Sequence, residues 1–439
     1  MRAASLIGLT IEIYDMVQED PRPADYLIGK FFRERKFLGS HDRKFIAETM
    51  YAMLRHKSRL EQIGSGVQGN GDERISGTLA SLVVYFATAK GETLLPDFLD
   101  GVSEVAGCSR ESAEKYFLEI GQYADQQIYA DDAARIASEE SFPKWMTRKF
   151  VTIFDAANAE SLCRAMNEQA PVTLRANTLK TTTEECERSL EQENIFANRG
   201  KYSPTALILK KRMNAFSSET FRKGFFEMQD EGSQIVSLAC DPHPNWKIMD
   251  ACAGAGGKTL HLAALMQNRG ELFACVQTTF QTEEMRKRLR RAGAQNARIV
   301  QNEDLEKQRN RFLDAMNLVL IDAPCSGSGT IRRNPIIKWR LTEDKIVRYA
   351  EEQLKILDAY CPFVRVNGKL VYATCSLFKE ENEDVAERFL LNHPEFEFAP
   401  FTNMKLGEDL SIFSTGYLRL YPHIHNTDGF FAAAFIRKT

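Results

Sequence analysis

From about Phe226 to the C-terminus, short apolar runs alternate with stretches of chain long enough for a helix. The runs are Lys247–Ala251, Leu272–Val276, Ile299–Gln301, Leu318–Asp322, Leu370–Thr374 and Phe430–Ile436. This spacing predicts βαβ units and a mostly parallel sheet, because parallel neighbours need a long crossover connection. Ligands of such sheets bind beyond the carboxyl ends of the strands. We therefore expect an α/β domain over residues 226–439, with its functional site at those ends.

The chain before this α/β pattern contains two regions with other sequence patterns. Residues 1–140 carry helical periodicity and no convincing alternating strand, which predicts an all-helical domain. Residues 141–225 combine strand-like runs at 171–177 and 206–209 with a helical segment at 186–192, which predicts a small α+β module. The 439 residues are thus expected to form three domains.

The composition is that of a soluble globular protein, with 44% hydrophobic residues, 27% charged residues and a net charge of −3. This balance excludes a protein that coats nucleic acid through bulk positive charge, so such a partner would need a local patch. Residues 30–60 hold nine basic and three acidic side chains. They suit either a face offered to an anion or an ordinary solvated helix face.

Membrane and metal partners are not expected. No apolar run is long enough to span a bilayer. The nine cysteines show neither Cys-x-x-Cys pairs nor zinc spacing. We therefore expect a cytoplasmic protein without a metal, and a monomer.

A glycine-rich turn, residues 251–257, follows the first strand of the α/β pattern and precedes a helix. Glycines at such a place let a ligand approach the backbone, and a helix N-terminus favours an anionic group such as a carboxylate. The spacing is neither that of a Walker A loop nor a full Gly-x-Gly-x-x-Gly. Taken alone, the turn fits either a nucleotide-like cofactor or a tight structural turn.

Two cysteines stand just past strand ends, in polar loops. Cys325 lies three residues after Asp322, in a loop rich in glycine and serine. Four basic residues follow: Arg332, Arg333, Lys338 and Arg340. This suits a reactive thiol near a carboxylate and an anionic substrate. Cys375 lies past a second strand, so the two thiols either form a pair or are unrelated core cysteines. A disulfide fits a cytoplasmic protein poorly.

Together these three segments resemble the RNA 5-methylcytosine methyltransferase family, a class I group that depends on S-adenosylmethionine. The family pattern Asp-x-Cys-Ala-x-Pro-Gly-Gly-Lys-Thr is matched at 250–259, with Ala255 in place of proline. The family patterns around the two cysteines are matched throughout at 322–335 and 372–382. The resemblance implies a Rossmann-like class I methyltransferase domain and S-adenosylmethionine as cofactor.

The resemblance extends to the two preceding regions. Leu174-Arg-Ala-Asn-Thr178 resembles the start of the family's small RNA-recognition-motif-like module. Residues 42–55 resemble a NusB-like helical domain, which the bacterial 16S rRNA member of the family carries. An RNA substrate, 16S rRNA foremost, is therefore implied.

The resemblance also implies a role for each site residue. Carbon 5 of cytosine is too weak a nucleophile to take the methyl group directly, so Cys375 would first add to carbon 6. Cys325 would help release the methylated base. Asp322, with a raised pKa or a close donor, would hold the base near ring nitrogen 3, and Lys258 would contact the base carbonyl. The implied cofactor contacts are Asp250, Cys252, Ala253, Gly254, Ala255, Gly256, Gly257, Lys258, Gln277, Glu303, Asp304 and Asp322. Arg332, Arg333 and Lys338 would contact RNA phosphates.

One departure from the family affects the cofactor site. The family has an aspartate for the ribose hydroxyls after the second strand, where this chain has Val276, and the neighbouring Gln277 brings no charge. Together with Ala255, this motivates one alternative, a catalytically weakened RNA-binding or assembly protein. A second alternative is a transfer-RNA cytosine methyltransferase. A further basic run, Arg286–Arg291, suits a solvated helix face or an RNA contact.

Overall fold

The computed structural model describes residues 1–67, 74–88, 97–123, 128–401, 413 and 415–438. The chain divides into two compact units. Unit 1 comprises Met1–Glu168 together with Arg333–Arg340, and unit 2 comprises Gln169–Arg332 together with Leu341–Thr439. None of the helices in the described ranges is both long enough and apolar enough to cross a membrane.

Unit 1 is built of helices, and the buried apolar side chains of the first seven form one core. The helices are α1 Ala3–Glu19, α2 Ala24–Glu34, α3 Ser40–Arg55, α4 Lys57–Val67, α5 Gly77–Thr88, α6 Phe98–Ala106, α7 Arg110–Gly121, α8 Asp132–Glu139, α9 Lys144–Ile153, α10 Ala156–Asn167 and the short α18 Ile337–Arg340. The core contains Ile7, Met50 and Val83, all fully buried, and Ile336 of the returning segment. The helical prediction for residues 1–140 is confirmed wherever the structure describes that region.

The first part of unit 2 is a small antiparallel sheet with two helices. Its elements are β1 Thr173–Ala176, α11 Thr183–Gln192, β2 Ala197–Arg199, β3 Ala206–Leu209, α12 Glu219–Arg222 and β4 Phe226–Met228. The strand order is β2-β3-β1-β4, with Leu174 of β1 opposite Leu207 of β3 and Met228 of β4. Leu174, Leu207 and Phe226 are fully buried in its core.

The predicted domain boundaries differ from the division seen in the structure. Helices α9 and α10, which the sequence placed in the α+β module of residues 141–225, lie in unit 1. Strand β4, which the sequence placed in the catalytic domain, pairs with β1 of the small sheet. A three-residue strand is too short to show an alternating pattern, so its partner could not be read from the sequence.

The rest of unit 2 is an eight-stranded sheet flanked by helices. Its strands are β5 Lys247–Asp250, β6 Glu271–Val276, β7 Ala297–Gln301, β8 Met316–Asp322, β9 Val364–Thr374, β10 Phe396–Phe398, β11 Leu418–Leu420 and β12 Phe430–Arg437. Its helices are α13 Glu231–Ala239, α14 Gly257–Leu265, α15 Thr279–Ala292, α16 Asn302–Lys307, α17 Arg309–Phe312, α19 Glu343–Tyr360, α20 Glu383–Asn392 and α21 Pro422–His425.

The strand order of this sheet is β10-β12-β9-β8-β5-β6-β7, with β11 paired to β12. The neighbours from β9 to β7 are parallel, whereas β12 is antiparallel to β9, β10 and β11. The mostly parallel α/β fold and all six apolar runs are therefore confirmed as strands. After β5 the chain moves outward through β6 to β7, and later returns as β8 on the other side. The switch point thus lies between β5 and β8, where a ligand is expected.

Candidate active site

The two cysteines singled out in the sequence meet at the carboxyl ends of β8 and β9. These strands are parallel neighbours, with Asp322 opposite Ala373, so the loops that follow them begin side by side. Cys325 Sγ and Cys375 Sγ are 3.3 Å apart, and both residues are partly exposed. The structure thus brings together two thiols that are fifty residues apart in the chain.

The contact between the two sulfurs affects the ionisation of Cys325. Its hydrogen bond with the Cys375 sulfur, followed by burial, raises the pKa of Cys325 well above the ordinary value. A thiol that keeps its proton can donate it to a neighbouring thiolate, and the thiolate is the nucleophilic form of cysteine. A pair of this kind can therefore hold one thiol beside one thiolate.

A buried carboxylate joins the two cysteine loops. Glu381 accepts hydrogen bonds from the Ser326 N–H at 2.8 Å and from Ser376 Oγ at 2.6 Å, and Gln353 Nε2 donates to it at 3.1 Å. Burial raises the pKa of Glu381. Because each serine directly follows one of the cysteines, Glu381 fixes the spacing of the thiols. Sequence reasoning gave Glu381 no role, although it lies inside the matched pattern at 372–382.

Backbone contacts lock the same two loops. The Gly329 N–H donates to the Cys375 carbonyl at 2.8 Å, and the Leu377 N–H donates to Ser328 Oγ at 2.8 Å. Gly329 also packs on Gly429, where a Cβ would stand 2.3 Å from the Gly429 carbonyl oxygen. Any side chain at 329 would therefore push the Cys325 loop out of place.

An ion pair lies at the switch point. Lys258 Nζ, in the first turn of α14, is 2.6 Å from Asp322 Oδ2 at the end of β8. Burial by itself would lower the pKa of Lys258, but the Asp322 carboxylate outweighs it, so the pKa of Lys258 is raised. Cys375 acts on the pKa of Lys258 in the same direction. Asp322 thus has the close donor contact that its expected role requires.

The glycine-rich turn leaves room for a ligand. Gly254 and Gly256 adopt left-handed backbone conformations, with φ of 53° and 90°. A Cβ at Gly254 or Gly257 would meet no atom within 4 Å among the described residues. The turn is anchored to β6, because the Ala253 N–H donates to the Cys275 carbonyl at 3.1 Å.

The polar groups of this turn fit the amino-acid end of S-adenosylmethionine, which carries an ammonium and a carboxylate. Asp250 Oδ2 accepts from Thr259 Oγ1 at 2.7 Å, whereas Asp250 Oδ1 is buried with no hydrogen-bond partner in the described part of the chain. An ammonium would satisfy that oxygen. The N-terminus of α14 offers backbone N–H groups for the carboxylate. Cys252 lies in the same turn, and burial raises its pKa, which makes it a poor nucleophile.

Asp250 gives this site a measurable dependence on pH. Burial raises its pKa from 3.8 to about 6. The folded state therefore favours the protonated carboxyl, and the stability this provides is present below about pH 4 and lost as the pH rises through 6. We expect Asp250→Asn, which keeps an acceptor for Thr259, to raise the free energy of unfolding of the cofactor-free protein at pH 8 by on the order of 1–2 kcal/mol.

Denaturant titrations at pH 8 and pH 4 check this expectation for Asp250→Asn. The difference from the unaltered protein should vanish near pH 4, and the affinity for S-adenosylmethionine should fall. An equal difference at both pH values would contradict the assignment of a buried, ionisable Asp250.

The end of β6, where the family has an aspartate for the ribose hydroxyls, carries no carboxylate in this chain. Val276, the last residue of β6, is 1% exposed. Gln277 follows it and is exposed, and its backbone N–H donates to Gln281 Oε1 at 2.9 Å. Glu303 and Asp304 are exposed in the first turn of α16, just after β7. The ends of β5, β6 and β7 lie at one edge of the sheet, so these residues border the same region as the glycine turn.

Two of the three predicted phosphate ligands are internal. Arg332 is 2% exposed, and it donates to the Asn426 carbonyl at 2.9 Å and lies 3.3 Å from Asp428 Oδ1. Lys338 is fully buried, and its ammonium donates to three acceptors within unit 1: the carbonyls of Arg55 and Ser141 and the side-chain oxygen of Asn167. A phosphate contact by either residue is therefore not supported by this structure. Arg333 is exposed.

A separate group of possible metal ligands lies outside this site. Cys361, His393 and Glu395 bring ligand atoms within 4.8 Å of one another. His393 contacts Glu395 through Nδ1 at 3.1 Å and Asp358 through Nε2 at 2.8 Å. These hydrogen bonds explain why the three residues lie together: they link α19 to the segment after α20.

Comparisons with known proteins point to one family. The family described as 16S rRNA methyltransferase RsmB/F matches residues 237–436, and the RsmF/B-like ferredoxin-like domain matches residues 142–215. A probable ribosomal RNA small subunit methyltransferase B of Bacillus subtilis is 33% identical over 81% of this chain and 77% of its own length. The Synechocystis protein of the same name is 29% identical, over 90% of this chain and 91% of its own.

A solved structure supports the same conclusion. A methyltransferase homologue from Pyrococcus horikoshii is 27% identical and covers 71% of this chain and 100% of its own, with a TM-score of 0.59.

Proposed function

Because the chain belongs to the RsmB/F family of 16S rRNA methyltransferases, we propose that it transfers a methyl group from S-adenosylmethionine to carbon 5 of a cytosine in RNA. The observation that carries this proposal is the 3.3 Å approach of the Cys325 and Cys375 sulfurs beside the Lys258–Asp322 pair. Carbons 5 and 6 are neighbours in one pyrimidine ring, so a thiol pair of this spacing can serve both. The class I methyltransferase fold and the S-adenosylmethionine cofactor follow from the family.

The first step of the proposed mechanism belongs to Cys375. Its thiolate forms a bond to carbon 6, and the electron pair of the carbon 5–carbon 6 double bond becomes available at carbon 5. The bound cofactor supplies the methyl group that carbon 5 then takes up. The target base must leave its stack to reach the thiols, so we expect single-stranded or loop RNA as substrate.

Lys258 and Asp322 support this addition electrostatically. Electron density moves to the carbonyl and nitrogen 3 edge of the base as the sulfur adds, and a preorganised ammonium stabilises charge that develops there. Asp322 orients Lys258 through their 2.6 Å contact. Water exclusion around the buried Lys258 strengthens the effect.

The last step needs Cys325. The proton on carbon 5 must leave before the bond between carbon 6 and Cys375 can break. Once Cys375 is bonded to the base, the sulfur contact that raises the pKa of Cys325 is gone, which makes its ionisation easier. Cys325 gives its own proton to solvent, and the resulting thiolate accepts the carbon 5 proton. The carbon 5–carbon 6 double bond then re-forms, and the electron pair of the bond between carbon 6 and sulfur returns to Cys375 as a thiolate.

We further propose ribosomal RNA, 16S rRNA foremost, as the substrate, and a monomeric cytoplasmic enzyme. The names of the relatives and the helical unit 1 support the substrate. Arg33, Lys36 and Lys44 of the basic stretch at 30–60 are exposed and suited to phosphates. The NusB-like character of residues 1–140 remains part of this proposal.

Labelled S-adenosylmethionine tests the proposal when the purified protein is incubated with transcripts of 16S rRNA or of transfer RNA. We expect label in 16S rRNA, at a cytosine that bisulfite sequencing then locates. Label in transfer RNA alone would favour the transfer-RNA alternative. Absence of cofactor binding by calorimetry would favour the RNA-binding or assembly protein that Val276 and Ala255 motivate.

A further inference from the structure

The basic run Arg286–Arg291 on α15 does not point to solvent along its whole length. Two of its members, Arg288 and Arg291, pair with Glu227 on β4 of the small sheet. The Glu227 side chain is only 4% exposed, and Arg288 Nη2 lies 3.1 Å from its Oε2. Arg286 of the same run is exposed. Part of the run is thus turned inward, where the small sheet meets α15 within unit 2.

Arg288 also reaches the glycine-rich turn. Its Nη1 donates to the Ala255 carbonyl at 2.7 Å, while its Nη2 is held by Glu227. The next peptide N–H, that of Gly256, donates to the Ala253 carbonyl at 2.8 Å. The peptide unit between 255 and 256 is therefore fixed at both its carbonyl and its N–H.

A second arginine holds the same turn from the small sheet. Arg175 of β1 is 2% exposed, and its Nη1 donates to the Gly257 carbonyl at 2.9 Å as well as to Gln229. In a trans peptide the carbonyl and the following N–H point in opposite directions. Fixing the Gly257 carbonyl therefore also fixes the direction of the Lys258 N–H. This N–H is one of the donors at the N-terminus of α14 that have no partner within the helix.

These contacts are relevant to Ala255, which stands where the family pattern has proline. A proline restricts φ and so stiffens a turn, whereas alanine leaves φ open. In this chain a charged donor holds the carbonyl of that same alanine. A hydrogen bond from a charged donor is stronger than one between neutral groups, so this contact can offset the lost restriction.

We propose that Arg288 and Arg175 are positioning residues for the cofactor, and that Arg288 supplies the restraint on the turn that proline gives elsewhere in the family. The proposal rests on the proposed function, since the cofactor is S-adenosylmethionine. It also makes the small α+β module part of the cofactor site, because β1 provides Arg175 and β4 provides the Glu227 that orients Arg288.

Calorimetric titration of the full-length chain with S-adenosylmethionine tests the role of Arg288. Arg288→Met is expected to weaken binding about tenfold, which corresponds to the loss of about 1.4 kcal/mol. Arg286→Met, an exposed arginine two positions earlier on α15, is the matched control and should bind as the unaltered chain does. Thermal unfolding of both variants verifies that they are folded.

Rescue by proline separates positioning from a general structural effect. Among the described residues no backbone acceptor takes the Ala255 N–H, so Ala255→Pro removes no backbone hydrogen bond there. Added to Arg288→Met, Ala255→Pro should restore affinity to within about threefold of the unaltered chain. Alone, it should change affinity little, because Arg288 already restrains the turn.

Two results would overturn the inference: unaltered affinity in Arg288→Met, or a loss that Ala255→Pro does not repair. Neither result would contradict the proposed function. The proposed function fails if the unaltered chain does not bind S-adenosylmethionine. The two failures are therefore distinguishable in one series of titrations.

Discussion

Cys375→Ala is expected to abolish methyl transfer to RNA, by on the order of 10⁴-fold or more, because its thiol is the group proposed to form the bond to carbon 6. Cofactor binding should be unchanged, since the thiol lies past β9 and the glycine turn follows β5. Incorporation of labelled methyl groups into RNA measures the first effect, and calorimetry measures the second.

Cys108→Ala is a suitable control for this loss, because Cys108 is a partly exposed thiol of unit 1, outside the catalytic pair. It should transfer methyl groups at the normal rate. Residual multiple turnover in Cys375→Ala above a few per cent of normal would show that the nucleophile is a different group.

Cys325→Ala is expected to give the opposite phenotype, a reaction that starts but does not finish. Cys375 can still add to carbon 6 and the methyl group can still be transferred. Without the group proposed to take the carbon 5 proton, the protein stays bonded to its product. We expect a protein–RNA complex that survives denaturation and accumulates in about one equivalent, with further turnover lost.

Denaturing gel electrophoresis after incubation with RNA and S-adenosylmethionine detects this complex. The double variant Cys325→Ala, Cys375→Ala should form none, which ties the complex to Cys375. Normal turnover in Cys325→Ala, with no retained RNA, would refute the role of Cys325 in product release.

The sequence was most informative for site residues that directly follow a predicted strand. The glycine turn, Asp322, Cys325 and Cys375 each follow an apolar run, and the rule that ligands bind at strand ends placed them at one edge. The structure brings Lys258 to Asp322 and Cys325 to Cys375, as a shared site requires. Local pattern and sheet topology together were sufficient here.

Predictions from charge alone failed because burial is decided by distant parts of the chain. Lys338 looked like a phosphate ligand, yet its acceptors come from Arg55, Ser141 and Asn167, far away in the sequence. Burial lowers the pKa of Lys338 well below its usual value. Arg332 likewise finds its partners near Asp428. No periodicity or spacing signals such acceptors in advance.

The residues that support the site were missed for a related reason. Glu381 acts through serines of two separate loops, and Arg288 acts through a carbonyl that any residue could provide. Every residue has a backbone carbonyl, so residue types do not show which carbonyl accepts a hydrogen bond. The short strands β10 and β11 were missed as well, because three residues cannot show an alternating pattern.

The central claim, that Cys375 bonds to the cytosine and Cys325 helps to release it, is tested most directly by trapping the bond in the unaltered protein. RNA carrying 5-fluorocytosine has no carbon 5 proton to remove, so the reaction should stop as a covalent complex after methyl transfer. Proteolysis and mass spectrometry then identify the peptide that bears the modified base. We predict that the base is bonded to Cys375. A base bonded to Cys325 would contradict the account.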